Sequence, residues 1–335
     1  MADRDLLWID PDWRAGADAW IDGQLDGLGL TRTGVIEQPH VRAWSTVMRV
    51  PTGDGAVWFK ANGSEQAHEA GVVRVLADRC PEHVPELLAF EAERSWIMLA
   101  DGGTRLRELL DGDPGLDRWE EILPLHADLQ IAAAPARDDL LAAGAPHRGL
   151  DALIEGLDRL LADSSALQPA VDEALTRDEI ERLEHQPARL ADLCARVGAL
   201  ELPESVNHGD LHDGQIFVRD GRYLFFDWGD ASVTHPFFAT VVPLRGLAYK
   251  LGIRQLDGRL DRLRDAYLEP WTAFHSRGEL LDVYDDAYRL GTLSRLLDWY
   301  DLVTASPAMR RDYADAVPTN VRLLLEVLDG KSHVW

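Results

Sequence analysis

Apolar residues along the chain switch between two repeats, and the switch divides it. Trp13, Ala17, Trp20 and Ile21 fall at i, i+4, i+7 and i+8, a helical stripe over 11–29 that ends at Leu28-Gly29-Leu30. A two-residue repeat follows. Residues 44–50 and 56–61 read as strands, joined as a hairpin by 51–55, a five-residue connection rich in turn formers. Alternation in the second strand puts Val57 and Phe59 on one face and Trp58 and Lys60 on the other, so the Lys60 ammonium projects from the sheet. The helical repeat returns with Glu69, Val72, Val73 and Leu76, which sets a carboxylate on an apolar, inward face. An inward charge needs a counter-charge; Lys60 is the natural one for Glu69, and Glu65 is a second, less well phased candidate for the pairing. Residues 95–100 form a further strand that runs into Asp101-Gly102-Gly103-Thr104, a flexible hinge.

Beyond the hinge the pattern is mostly helical. Leu106, Leu109 and Leu110, then Trp119, Ile122, Leu123, His126 and Leu129 keep helical spacing, and His126 reads as a packed helix histidine. Residues 142–200 are loosely patterned and charged, consistent with a helical insertion. The last hundred residues are again helical and rich in Asp, Trp and Tyr: Asp282, Asp285 and Asp286 share a face, and Asp298 and Asp301 accompany Trp299 and Tyr300. Acids beside aromatics suit a hydroxylated or cationic ligand, although a solvated acidic face has the same pattern.

The helical part is interrupted once, by His208-Gly209-Asp210-Leu211-His212-Asp213-Gly214-Gln215, two short apolar runs, and Phe225-Phe226-Asp227-Trp228-Gly229-Asp230. The runs 216–218 and 223–226 flank Asp220-Gly221, a pair that tolerates positive φ at both positions and favours a tight hairpin. That hairpin would bring the 208–215 loop beside Asp227. Phosphoryl transfer asks for such a set: a carboxylate to receive the hydroxyl proton and oxygen ligands for Mg²⁺. A protein kinase places an amide residue five positions after its loop Asp and a metal-binding Asp-Phe-Gly at the next strand end; Asp210, Gln215 and Asp227-Trp228-Gly229 repeat that spacing.

The motif resembles the aminoglycoside phosphotransferase and choline kinase-like family of small-molecule kinases, whose signature is His-Gly-Asp-x-His-x-x-Asn and a following strand-end Asp. His208, Gly209, Asp210, His212 and Asp227 match it. Gln215 replaces the usual Asn, as in maltokinase-like and sugar kinase-like His-Gly-Asp-x-His-x-Gly-Gln variants, and leans toward sugar substrates. Thr234-His235-Pro236 stands where an Asp-Pro element is common. The resemblance implies an α+β, two-lobed protein kinase-like fold, with a small antiparallel-sheet N-terminal nucleotide-binding lobe over 1–100. A larger, mostly helical C-terminal lobe over 101–335 would hold the catalytic loop and the acceptor pocket. It implies an ATP-dependent O-phosphotransferase acting on an aminoglycoside, (amino)sugar or similar hydroxylated small molecule, with ATP and Mg²⁺ required. In that reading Asp210 is the catalytic base and Gln215 and Asp227 are metal ligands. Lys60, held by Glu69, steadies the α/β-phosphates, and the backbone of Met98 and Ala100 faces adenine. His208 braces the loop, and Asp230 is a turn residue or an outer metal ligand. No Gly-rich loop precedes Lys60, so a turn near 39–44, with Ser45 and Thr46, would cover phosphate instead.

Composition narrows the alternatives. A chain of 335 residues, 46% hydrophobic, can bury the core of two lobes. Its formal net charge of −24 argues against nucleic acid and anionic membranes as partners and favours neutral or cationic acceptors. Cys80 and Cys194 have neither metal-ligand spacing nor a disulfide framework, and no apolar run reaches membrane-spanning length. A cytoplasmic protein is expected. A zinc hydrolase built on His208, Asp210 and His212 lacks any further ligand cluster. A kinase-like protein that binds nucleotide without transfer remains the alternative, motivated by Gln215 and the Thr-His-Pro segment. Aminoglycoside, amino sugar, maltose-like sugar, choline-like amine and nucleoside analogue all remain open as acceptors, as does GTP as donor.

Overall fold

The computed structural model describes residues 7–253, 258–305 and 307–331. It opens with the helix Pro11–Leu28, capped by the Asp10 carboxylate, which accepts from the N–H groups of Asp12 and Trp13, and closed by Gly29 at φ 71°. A five-stranded antiparallel sheet follows: β1 (Glu37–Val41), β2 (Ser45–Thr52), β3 (Gly55–Asn62), β4 (Leu87–Glu91) and β5 (Trp96–Ala100), in the order β1-β2-β3-β5-β4. Alternation explains how the sheet is sandwiched. Met48, Val50, Val57, Phe59, Trp96 and Met98 point to one face and bury against Ala17, Ile21 and Leu25 of the first helix. Trp58 and Lys60 point to the other.

Two features of this sheet differ from the sequence pattern. The β2–β3 connection is shorter than five residues, because Thr52 pairs with Gly55 and its hydroxyl donates to the Gly55 carbonyl at 2.9 Å. The second is β1 itself, which occupies part of the segment read as a turn; Pro39 interrupts the pattern there but is tolerated in an edge strand.

The helix Glu69–Arg79 packs against β4, with Glu69, Val72, Val73 and Leu76 all buried as their spacing predicts. Beyond β5, β6 (Thr104–Arg105) joins a small sheet, and the helix Leu116–Ala133 forms the spine of the helical part. β7 (His147–Arg148) precedes the helices Leu150–Ala162, Arg177–Glu184 and Pro187–Gly198, which make the 142–200 segment helical. Then come β8 (Ser205–Asn207), β9 (Ile216–Arg219), β10 (Arg222–Phe225) and β11 (Ser232–Thr234). The β9–β10 hairpin turns through Asp220 at φ 51° and Gly221 at φ 75°, the mirror-image turn that an Asp-Gly pair favours. The helices Val241–Leu251, Gly258–Leu268, Arg277–Ala305 and Ala316–Leu328 complete the molecule, and the 29-residue Arg277–Ala305 helix packs against many of the others.

Candidate active site

The site forms where β3, the Glu69–Arg79 helix and the β8–β11 segment meet. Lys60 Nζ lies 2.6 Å from Glu69 Oε2 and 2.5 Å from Asp227 Oδ1, although Asp227 is 167 residues away in sequence. Glu69 is 1% exposed, and its oxygens also accept from Asn62 Nδ2 at 2.7 Å and from the Trp228 N–H at 3.0 Å. Burial works against the Lys60 charge, but Asp227 and Glu69 outweigh it and raise its pKa. The same burial pushes Glu69 up against the pull of Lys60. Glu65 makes no contact with Lys60; its carboxylate accepts from the neighbouring Ser64 hydroxyl.

Asp227 sits at φ 68°, a left-handed conformation in which few non-glycine residues are found. Its second oxygen accepts from Gln215 Nε2 at 2.8 Å, so the two residues read as metal ligands are in contact. The loop that carries Asp210 is braced by buried contacts. His208 is fully buried, its Nε2 2.9 Å from the Phe226 carbonyl and its ring tilted by 40° against Trp228 with centroids 4.6 Å apart. Gly209, at φ 78°, passes so close to Asp230 that a Cβ would meet its carbonyl oxygen at 2.1 Å. These contacts aim Asp210 outward. Burial raises its pKa, but His212, Arg295 and His208 outweigh that and hold the carboxyl at about 2.

Two participants carried no sequence signal. Arg295, in the Arg277–Ala305 helix, donates to Asp210 Oδ1 at 3.1 Å and to Asp230 Oδ2 at 2.8 Å, and Gln66 donates to the other Asp230 oxygen at 2.7 Å. Asp230 is therefore neither a free turn residue nor an open metal ligand. Arg295 escaped notice because it lies 85 residues from Asp210, on a helix whose other arginines look alike. Only the packing of that helix singles it out.

The expected adenine contacts need correction. Met98 lies in β5, which is flanked on both sides by β3 and β4, and the Ala100 N–H donates to the Glu86 carbonyl at 2.9 Å. Neither is a free edge. Thr46 is likewise spent within its hairpin, its hydroxyl donating to the His40 carbonyl at 2.8 Å. His40 is within electrostatic reach of the Lys60–Asp227 pair and of the guanidinium groups of Arg42 and Arg105, and burial leads the effects that lower its pKa.

Beside Asp230 and Arg295 opens a cavity of about 260 Å³, lined by Glu65, Gln66, His68, Arg148, Asp298 and Trp299 among others. Asp298 and Asp301 are both paired with Arg148, at 3.0 Å in the case of Asp298, so one guanidinium offsets part of the acidic C-terminal face here. Tyr300 turns away, its hydroxyl 3.4 Å from Asp163. Asp286 is held by Arg196 and Arg289 on another surface. A larger concavity of about 770 Å³ lies behind β4 and shares no residue with the Lys60–Asp227 cluster.

A profile of the phosphotransferase enzyme family matches residues 55–280, more than half of the chain and all of this cluster. The chain belongs to that family. This phosphotransferase is an enzyme of the small-molecule kinase class, transferring phosphoryl groups to hydroxyls. No curated protein matches its sequence. Among solved structures it resembles a choline/ethanolamine kinase family protein from Mesorhizobium loti, at 16% identity and TM-score 0.58, over 95% of this chain and 97% of that one. It also resembles a macrolide 2'-phosphotransferase from Brachybacterium faecium, at 18% identity and TM-score 0.55, over 90% and 98% of the two chains. An amicoumacin kinase in complex with AMP-PNP and Ca²⁺ aligns at 14% identity and TM-score 0.50, over 95% or more of each chain. These likenesses establish the α+β, protein kinase-like fold of the phosphotransferase. No helix among the described residues is long and apolar enough to cross a membrane.

Proposed function

We propose that the protein transfers the γ-phosphoryl group of ATP to a hydroxyl of a small molecule of the aminoglycoside or (amino)sugar kind, with Mg²⁺ held at Asp227 and Gln215. The observation that carries this reading is the Lys60–Glu69–Asp227 ion cluster set beside Asp210. The donor set fits a divalent metal. Asp227 and Gln215, in contact at 2.8 Å, bring together the carboxylate and amide oxygens that a hard oxygen-seeking ion takes. A bound Mg²⁺ supplies charge neutralisation between the phosphate oxygens.

In this reading, Lys60 exchanges its contact with Asp227 for the nucleotide phosphates, while Glu69 keeps the ammonium in place. Arg42 and Arg105, within electrostatic reach of His40, add positive charge near the phosphate site, while burial favours the neutral form of His40 itself. Asp210 accepts a hydrogen bond from the acceptor hydroxyl and then its proton. With a carboxyl held at about 2 it is a weak base, so the proton moves late, which suits a loose transition state. The acceptor enters the cavity beside Asp230 and Arg295. The nucleotide lobe is residues 1–100 and the helical lobe 101–335, and the free thiols Cys80 and Cys194 accord with the cytoplasm.

One observation favours the second reading, nucleotide binding without transfer: both Asp227 oxygens are engaged, by Lys60 and by the Gln215 nitrogen. An ADP-release assay with Mg²⁺-ATP separates the two, run across aminoglycosides, amino sugars, neutral sugars and amino alcohols beside Asp210→Asn. Acceptor-dependent turnover lost in the variant supports the kinase. Mg²⁺-dependent ATP binding with no turnover for any acceptor supports the binding protein, and no ATP binding refutes both.

A further inference from the structure

Away from the Lys60–Asp227 cluster, the three-stranded sheet β7-β11-β8 gathers a second set of ligating side chains on one face. β7 and β11 run parallel with Val233 opposite His147, and β11 and β8 run antiparallel with Thr234 opposite Ser205. One residue further along, that register sets His235 between Gly149 and Glu204. Side chains two apart on a strand share a face, so His147, opposite Val233, projects to the same side as His235 and Glu204.

The side chains converge there. His147 Nε2 stands 3.1 Å from each Glu204 oxygen, and one ligating atom each of His147, Asp151 and Glu204 lies within 4.8 Å of the others. Gly149 makes room for this: a Cβ in its place would fall 2.2 Å from Glu204 Oε1 and 2.5 Å from His147 Nε2. The group borders a cavity of about 340 Å³ that His235 also lines. His235 is 4% exposed; its Nδ1 accepts from the Phe237 N–H at 3.3 Å, and its Nε2 is buried with no hydrogen-bond partner among the described residues. A buried ring nitrogen left in that state is costly unless a ligand takes it up. Charge points the same way, since Asp151, Glu201 and Glu204 line the cavity against the single guanidinium of Arg137. Arg137 Nε donates to Glu204 Oε2 at 2.7 Å, which orients the carboxylate and leaves Oε1 to a metal. A metal would turn Arg137 Nη2, now 3.5 Å from His147 Nε2, toward Asp138, which already accepts from Nη1 at 2.8 Å.

We infer that His147, Asp151, Glu204 and His235 form a structural site for a divalent metal of the zinc type. Two imidazoles with two carboxylates are a nitrogen–oxygen set that suits zinc, whereas Mg²⁺ and Ca²⁺ take oxygen. The 3.1 Å between His147 Nε2 and Glu204 Oε1 is close to the roughly 3.3 Å between two ligands of a tetrahedral zinc bonded at about 2.0 Å. Four protein ligands close the coordination sphere, which makes the site structural. Its place in the fold gives it a use. Glu204 precedes β8 and His235 follows β11, the paired strands between which the chain carries Asp210, Gln215 and Asp227. The metal fastens the root of that excursion to β7 and to the helix Leu150–Ala162. The site is separate from the phosphoryl-transfer cluster and stands whether or not transfer occurs.

The untagged full chain, stripped with a chelator and kept in Mg²⁺, is titrated with zinc by calorimetry and followed through thermal unfolding. One zinc per chain is expected to bind here and to raise the melting temperature. His147→Ala removes a partly exposed ligand. Gly149→Ala adds a methyl that meets only the movable ends of Glu204 and His147, at φ −60°, which alanine adopts freely. Both variants should unfold in chelator near the parent temperature and bind zinc roughly 100-fold less tightly or worse, since losing a ligand costs at least as much as losing its supporting partner. His235→Asn keeps an oxygen able to accept from the Phe237 N–H and loses Nε2; it should weaken zinc roughly 10-fold or more. Asp227→Asn, in the other cluster, should leave zinc binding intact. A parent chain that zinc does not stabilise, or equal affinity in the parent, His147→Ala and Gly149→Ala, overturns the site. So does a zinc response lost in Asp227→Asn, which would place the metal at the transfer cluster, and unchanged affinity in His235→Asn overturns its assignment as the fourth ligand.

Discussion

His126 packs beneath the catalytic loop with no polar partner, and its acid titration can be worked out from the structure. The side chain is fully buried in the Leu116–Ala133 helix, neither ring nitrogen has a hydrogen bond, and the ring sits edge-on to Phe225 at 5.2 Å. Burial, reinforced by His208 and His83, lowers its pKa from 6.5 to about 3. The folded state therefore excludes a proton that the unfolded chain takes up below pH 6.5. The stability this represents is fully present above 6.5 and is lost progressively as pH falls toward 3. Between pH 7.5 and 5 the loss from this one residue is about 2 kcal/mol. His126→Leu keeps a similar volume and removes the titration. At pH 7.5 the variant should be as stable as the parent or gain about 1–3 kcal/mol, since an unsatisfied buried polar group is removed. Urea unfolding of both proteins, followed by tryptophan fluorescence at steps from pH 7.5 to 5, measures the difference directly. It should widen by about 2 kcal/mol in favour of the variant. The other buried histidines titrate in both proteins and cancel. A difference that stays constant across the range would show that His126 is protonated in the fold or has a partner, and would refute the reasoning.

Glu69→Gln leaves Lys60 with Asp227 alone, so kcat/KM for ATP should fall roughly 10- to 100-fold while the protein stays folded; steady-state kinetics against ATP, with circular dichroism as the control, checks this. Gly209→Ala places a methyl where only 2.1 Å separates it from the Asp230 carbonyl, at a φ that alanine resists. Displacing the loop should cost turnover about 100-fold or more while Mg²⁺-ATP binding, measured by calorimetry, is retained. Arg148→Met strips Asp298, whose side chain is 14% exposed, of its partner and should cost about 3–5 kcal/mol in urea unfolding at pH 7. Burial raises the Asp298 pKa, so part of that loss should return as pH is lowered and the carboxyl takes up its proton.

Short-range regularities along the chain made much of this site readable before folding was considered. The period-two placement of Lys60, the helical phase of Glu69, and the Asp220-Gly221 turn that folds Asp227 back toward Gln215 are all local, and the structure realises each of them. The same local rules misjudged β1, where Pro39 hides an edge strand, and the adenine-facing backbone, because strand periodicity does not say which neighbour takes each N–H. They were silent on Arg295 and Gln66. An arginine on a long helix looks the same whether it meets water or a carboxylate 85 residues away. That choice is made by how the Arg277–Ala305 helix packs against the β8–β11 segment, and packing depends on the whole core at once. Motif spacing thus indicated which groups stand together. Tertiary structure alone decided which cations stand around them, because the cost of burying a charge depends on neighbours that the chain brings from far away.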